Sequence, residues 1–181
     1  MFFKPLTIDE TNQVETTINQ LLDSDAMTII LKRKELIKIK GDRNDVYLVS
    51  KEDIHLFERL SSKLPKKDLN IVHARIKLGF FIHEKFLIGI ESLSFLSPLT
   101  HRRISLDTKS TQKFIYGNDI VINTVSLKKQ IKHLEENTTI IVFSDTNIPI
   151  GYAKILSKEK KPWLQNLVDI GIFLRSEKSA F

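Results

Sequence analysis

Histidines, carboxylates and glycines are the residues from which an active site or a cofactor site would be built. The five histidines lie at positions 55, 73, 83, 101 and 133. No two are three or four residues apart, the spacing with which one helix face chelates zinc. The six glycines form neither a dinucleotide-binding fingerprint nor a Walker loop, and cysteine is absent. With no nucleophile beside a base, we expect no catalytic residue, no metal site and no cofactor.

Positive charge is concentrated in the second half of the chain. The 181 residues carry a formal net charge of +6. Residues 1–97 hold 15 Lys/Arg against 14 Asp/Glu, whereas residues 98–181 hold 13 against 8. A concentrated positive field attracts polyanions and speeds their encounter, so a nucleic-acid partner is one interpretation. A solvated lysine face that aids solubility is the alternative that charge alone leaves open.

The densest cationic segment of that half precedes the only tryptophan. Flexible ammonium groups suit the variable geometry of a phosphate backbone. An exposed indole stacks on bases, which is one role for Trp163. The alternative, which is more frequent for tryptophan, is that the indole packs against the hydrophobic core. The candidate RNA-binding residues in this segment are Lys154, Lys158, Lys160, Lys161, Trp163 and Gln165.

Gly117, Asn118 and Arg175 complete the candidate RNA-binding set. A glycine without a Cβ lets the backbone approach RNA closely, or supports an ordinary turn with a positive φ. Arg175 is able to bind a phosphate, or to pair with a carboxylate such as Asp169. The sequence leaves both alternatives open.

Hydrophobic periodicity and turn residues predict the elements that position these side chains. We expect a helix over residues 8–23 that begins at a capping box of Thr7 and Glu10, a strand over 27–31 and a half-buried strand over 71–77. Ser97–Thr100 is the candidate hinge between two domains, 1–97 and 98–181. The second domain is predicted to be more purely β, with a hairpin formed by residues 140–143 and 150–155 and a basic loop at 158–161.

Three motifs of the second half together resemble a PUA domain, a small β pseudo-barrel. They are Phe114–Asn118, Ile148–Tyr152 and Asn166–Arg175, the last reading Asn-Leu-Val-Asp-Ile-Gly-Ile-Phe-Leu-Arg. In the first half, Lys4–Thr7, Asn44–Ser50 and Leu93–Pro98 are similar to the Nip-seven ribosome-biogenesis family. The segment Trp163–Leu167 looks more like archaeal than animal members.

The resemblance implies an α+β chain with an N-terminal α/β domain followed by a C-terminal RNA-binding PUA pseudo-barrel. It implies a factor in large-subunit assembly and pre-rRNA processing, with RNA, assembly factors such as an SBDS-type protein, and the exosome as partners. Family members carry basic residues just before Asn-Leu-x-Asp-x-Gly. Pro162, Gln165 and Val168 depart from the Arg or Lys that archaeal relatives often have, so the positive site is thinner on that side.

The sequence therefore predicts a non-enzymatic RNA-binding factor of the cytoplasm, or of the nucleus or nucleolus in a eukaryote. No apolar run is long enough for a membrane span, so we expect no membrane association. One alternative is a protein adaptor whose PUA fold no longer binds RNA. Another is an accessory fragment of an RNA-modifying enzyme.

Overall fold

The described chain divides into two units, each built on a five-stranded sheet. The N-terminal unit comprises Met1–Asn19 and Ser24–Ser92, and the C-terminal unit comprises Gln20–Asp23 and Leu93–Phe181. Within them, the computed structural model describes residues 3–23, 26–40, 44–61, 76–82, 84–158, 161–172 and 175. The predicted boundary at residue 98 stays a prediction.

The sheet of the N-terminal unit is a meander in which every neighbouring pair of strands is antiparallel. Its spatial order follows the chain: β1 Phe3–Pro5, β2 Lys34–Lys40, β3 Asn44–Ser50, β4 Ile76–Ile82 and β5 Lys85–Ile88. Along β3, Val46 and Leu48 are buried on one face of the sheet, and Val49 is buried on the other, where it packs with Ile37 and Ile54. The predicted strand start at residues 71–75 lies outside the described residues.

Three helices accompany this sheet: α1 Ile8–Asn19, α2 Ala26–Arg33 and α3 Lys51–Ser61. The predicted capping box at the start of α1 is confirmed. The amide of Thr7 donates to Glu10 Oε2 at 3.0 Å, and the amide of Glu10 donates to Thr7 Oγ1 at 3.2 Å. The helix ends at Asn19 rather than at residue 23.

The expected strand over residues 27–31 is wrong, because these residues belong to α2. A short apolar run fits a helix as well as a strand, and the periodicity of five residues does not decide between them. In the helix, Met27 is buried at 1 % exposure whereas Ile29 is 63 % exposed, so only one side of the run meets the core.

The sheet of the C-terminal unit combines one parallel and three antiparallel pairings. Its strands are β6 Arg103–Ser105, β7 Ile120–Val121, β8 Thr139–Phe143, β9 Pro149–Lys158 and β10 Lys161–Asp169. The spatial order is β6-β8-β9-β10-β7, with β6 and β8 parallel. The predicted hairpin from residue 140 to residue 155 is confirmed as β8 and β9. The hydrophobic core of this unit includes Ile104, Phe114 and Leu164, each at 0 % exposure.

Among the described residues, the second half has fewer helical residues than the first, as predicted, although helices interrupt its strands. Helix α4 Leu93–Leu96 and the short 3₁₀ turns Ile90–Ser92 and Ser97–Leu99 lie around the boundary of the two halves, and helices α5 Thr108–Ile115 and α6 Val125–Ile131 lie within the second. Side-chain caps start the two longer helices. Asp107 Oδ1 accepts from the amide of Ser110 at 2.8 Å, and Thr124 Oγ1 accepts from the amide of Leu127 at 3.2 Å.

The α+β fold class predicted from the sequence is confirmed by these mixed helices and sheets. The helices among the described residues are all too short or too polar to cross a bilayer.

Candidate nucleic-acid interface

The hairpin of β9 and β10 carries most of the predicted RNA-binding residues. In its register Lys154 lies opposite Gln165, Leu156 opposite Trp163, and Lys158 opposite Lys161. Successive side chains of a strand point to opposite faces of the sheet. Ile155 and Leu164, which alternate with these pairs, are buried at 4 % and 0 % exposure. The first two pairs therefore lie on the face opposite that core, called the hairpin face below, and Lys158 and Lys161 pair further along the same two strands.

The hairpin register corrects the prediction of a basic loop over residues 158–161. Lys158 is the last residue of β9 and Lys161 is the first residue of β10, so both are strand positions. Lys160 lies outside the described residues. The pairing of β9 with β10 sets the backbones of these two lysines opposite each other at the end of the hairpin.

Lys154 is half-buried, and no carboxylate in the described part of the chain pairs with it. An ammonium group without a carboxylate partner keeps its donors for another acceptor. Lys154 is therefore suited to hold a phosphate.

Trp163 is also half-buried, and its indole Nε1 has no hydrogen-bond partner among the described residues. Its register neighbours are Leu156 on β9 and Val121 on β7. The indole is thus neither a fully buried core residue nor a freely exposed one. Its predicted stacking on a base stays a prediction.

A polar cleft of about 750 Å³ lies beside Lys154 in the C-terminal unit. Thr139 pairs with Lys154 across β8 and β9, which brings the cleft up to the hairpin face. Arg102 Nη1 donates to the carbonyl of Gln20 at 3.1 Å. The lining residues include Arg102, His133, Glu135, Asn137, Thr139 and Lys154. Sequence reasoning did not assign the first five to this site, because only the fold brings residue 102 and residues 133–139 beside Lys154.

Gly117 and Asn118 form the end of α5. Gly117 has φ +83° and its amide donates to the carbonyl of Phe114 at 2.9 Å, while the amide of Asn118 donates to Lys113 at 3.2 Å. This pair of hydrogen bonds is the Schellman motif, which satisfies the last carbonyls of a helix. Both residues are exposed. The positive-φ alternative is confirmed for Gly117, and contact of these residues with RNA stays a prediction.

Arg175 binds a buried carboxylate. Its Nη1 and Nη2 donate to Asp169 Oδ1 and Oδ2 at 3.0 and 2.8 Å, and Nη1 also donates to the carbonyl of Ile115. Asp169 is 2 % exposed and also accepts from the amide of Gly171 and from Asn166 Nδ2. The hydrogen bond to Asp169 raises the pKa of Arg175. A guanidinium held in this way has fewer donors left for a phosphate.

The Asp-x-Gly-x-Phe-Leu-Arg motif thus connects the end of β10 to the end of α5. Asn166 Nδ2 adds a hydrogen bond to the carbonyl of Phe114 at 2.7 Å. A Cβ at Gly171 would lie 2.0 Å from the carbonyl oxygen of Ile115, so this close approach requires glycine. The described part of the motif therefore has a structural explanation that does not involve RNA.

Among the residues the structure describes, no group of three or more His, Asp or Glu side chains is arranged to hold a metal ion.

Residues 102–178, which contain β6 to β10 together with α5 and α6, match the model of the UPF0113 PUA domain family. The C-terminal unit is therefore a PUA domain, as its sequence motifs predicted.

Similar proteins extend the match over most of the chain. A zebrafish protein named 60S ribosome subunit biogenesis protein NIP7 homolog is 24 % identical over 96 % of this chain and 97 % of its own length. A UPF0113 protein of Archaeoglobus fulgidus is 27 % identical over 82 % of this chain and 83 % of its own. The NIP7 homolog of Xenopus laevis is 20 % identical over 82 % and 79 %. The resemblance to the Nip-seven family is confirmed.

Proposed function

We propose that this protein is a non-enzymatic RNA-binding factor in the assembly of the large ribosomal subunit and in pre-rRNA processing. Two relatives are named as 60S ribosome subunit biogenesis proteins, and the C-terminal unit is a UPF0113 PUA domain. The relatives' names describe biogenesis rather than a reaction.

The proposal rests on the arrangement of residues at the hairpin face. Lys154 is half-buried without an ion-pair partner in the described chain, Lys158 and Lys161 pair in the register of the same hairpin, and Trp163 lies between these two positions. The lysines bind RNA phosphates by electrostatic attraction, which needs no base sequence. Gln165, opposite Lys154, is positioned to hydrogen-bond a base or a sugar.

Further partners follow from the same proposal. The RNA is pre-rRNA or rRNA, and the N-terminal unit docks a protein such as an SBDS-type assembly factor or a subunit of the exosome. The protein acts in the cytoplasm, or in the nucleus and nucleolus if the cell is eukaryotic.

The test is RNA affinity of the full chain for a 20-nucleotide oligouridine. If about four phosphates are neutralised, the logarithm of affinity falls with the logarithm of salt concentration with a slope of roughly −3. The variant K154Q/K158Q/K161Q removes three charges from the β9–β10 hairpin, and we expect its salt slope to become less steep by about 2.

The control K109Q/K128Q/K129Q removes three charges from the exposed helical surface of the same domain. We expect it to bind nearly as tightly as the natural chain. Equal losses in both variants would mean that net charge alone drives binding and would overturn the site. The adaptor alternative would be favoured if the natural chain bound no RNA but still pulled down assembly factors or exosome subunits after nuclease treatment. That alternative is motivated by the absence of basic residues at Pro162, Gln165 and Val168.

A further inference from the structure

A second cationic surface lies in the N-terminal unit, far along the chain from the hairpin face. It is a cleft of about 540 Å³, called the basic cleft below. Its lining residues are Lys32, Arg33, Lys34, Ser50, Lys51 and Glu52. The net charge of residues 1–97 is nearly zero, so composition gives no sign of this cluster.

Two junctions between elements create the basic cleft. Helix α2 ends at Arg33 and β2 begins at Lys34, while β3 ends at Ser50 and α3 begins at Lys51. Lys34 pairs with Ser50 in the antiparallel register of β2 and β3. This pairing brings three consecutive cations beside a fourth that follows 17 residues after Lys34 in the sequence.

The four cations of the basic cleft have no ion-pair partner in the described part of the chain, and Glu52 is the single carboxylate of the lining. Like charges held together raise the free energy of the folded state unless an anion is bound. Lys32 and Arg33 lie at the C-terminus of α2, where the helix dipole stabilises each cation by about 0.3–1 kcal/mol. This effect does not account for Lys34 on a strand or for Lys51 at the start of a helix. The cluster is therefore suited to an anionic ligand.

The composition of the lining favours RNA over an acidic protein. Protein interfaces obtain most of their binding energy from aromatic and other large side chains seated in pockets. The basic cleft is lined by none of these, only by charged and hydroxyl groups. Nucleic-acid interfaces are polar and strongly positive, as this lining is. Ser50 Oγ accepts from the amide of Asp53 at 3.1 Å, which leaves its proton free for a phosphate oxygen.

We propose that the basic cleft binds the phosphodiester backbone of RNA and is a second RNA contact, separate from the hairpin face. This assignment goes beyond the proposed function because it gives RNA binding to the N-terminal unit. It stands on residues of that unit alone and does not depend on the hairpin face.

The experiment compares two variants of the full chain in binding to 20-nucleotide oligouridine over a range of salt concentrations. K34Q/K51Q removes one cation from each side of the basic cleft. K4Q/K85Q removes the same charge from exposed positions on β1 and β5 of the same unit. Two lost phosphate contacts make the salt slope less steep by about 1.4 and weaken binding on the order of tenfold at 0.1 M salt. We expect this for K34Q/K51Q and little change for K4Q/K85Q.

A direct readout uses amide resonances of the natural chain during titration with the same oligouridine. We expect chemical-shift changes at Lys34, Ser50 and Lys51 and none at Lys4 or Lys85. Shifts confined to the C-terminal unit would overturn the assignment.

The outcomes separate this inference from the proposed function. If the salt slope of K34Q/K51Q equals that of the natural chain while the slope of K154Q/K158Q/K161Q is less steep, the basic cleft assignment fails and the hairpin face remains the RNA-binding site. The reverse pattern supports the basic cleft and contradicts the hairpin face. If K34Q/K51Q loses affinity for polyglutamate but keeps its affinity for oligouridine, the ligand is an acidic protein and the RNA assignment is overturned.

Discussion

The guanidinium of Arg175 and the carboxylate of Asp169 form a bidentate ion pair, with N–O distances of 3.0 and 2.8 Å. The carboxylate is 2 % exposed whereas the arginine side chain is 40 % exposed. Because Arg175 also donates to the carbonyl of Ile115, this pair links the end of β10 to the end of α5. Its geometry supports a role for Arg175 in holding the PUA domain together.

Replacing Arg175 by Gln is expected to destabilise the protein by about 1–3 kcal/mol, because a buried carboxylate loses two charge-assisted hydrogen bonds. The partial exposure of Arg175 keeps the effect below that of a fully buried pair. Urea unfolding followed by circular dichroism measures the change. Unchanged stability together with weaker RNA binding would instead identify Arg175 as an RNA ligand.

Gly171→Ala tests the close approach of β10 to α5. The added Cβ would lie 2.0 Å from the carbonyl oxygen of Ile115, so backbone must move, at a cost of about 3 kcal/mol or more. Gly89→Ala is the matched control, since its Cβ would meet only the flexible end of Glu91 at 2.9 Å. We expect the control to lose less than about 1 kcal/mol in the same urea titration. Similar losses for the two variants would contradict the role given to Gly171.

Tyr152 gives the stability of the PUA domain a dependence on high pH. Burial raises the pKa of Tyr152 to about 12. An unfolded tyrosine titrates near pH 10, so between these values the folded chain keeps a proton that the unfolded chain loses. The free energy of unfolding therefore falls as pH rises, by about 1.4 kcal/mol per pH unit from this group alone.

Tyr152→Phe removes that contribution, so the variant should lose less stability than the natural chain between pH 9 and pH 11.5. Tyr116→Phe, at a side chain 74 % exposed, serves as the control and should follow the natural chain. Urea midpoints at the two pH values provide the measurement. Parallel pH profiles for all three proteins would show that Tyr152 ionises as freely as an exposed tyrosine.

Trp163 offers an intrinsic probe because it is the only tryptophan in the chain. RNA bound at the hairpin face should change its fluorescence, since stacking or altered solvent contact affects an indole directly. We expect saturable quenching by oligouridine in the natural chain and a shift of the curve to higher RNA concentration in K154Q/K158Q/K161Q. Tight RNA binding with no change in emission would argue that RNA binds away from Trp163.

Sequence alone was sufficient where the signal is local or is carried by several motifs together. The capping box of Thr7 and Glu10 is read from two residues three apart, and the structure has both hydrogen bonds. The PUA domain was recognised from motifs whose order and spacing reflect close contacts, such as the approach of Gly171 to Ile115. Each of these contacts restricts which residue type fits at its position, so the sequence alone reveals it.

Tertiary structure decided the features that depend on pairing between distant segments. Residues 27–31 became helical because the packing of one face outweighed a pattern that suits either structure. The hairpin face exists because the register sets Lys154 opposite Gln165 and Leu156 opposite Trp163. The basic cleft exists because β2 pairs with β3, and amino-acid composition does not reveal this pairing. Local chemistry determined the kind of domain, and long-range strand pairing decided which cations lie together.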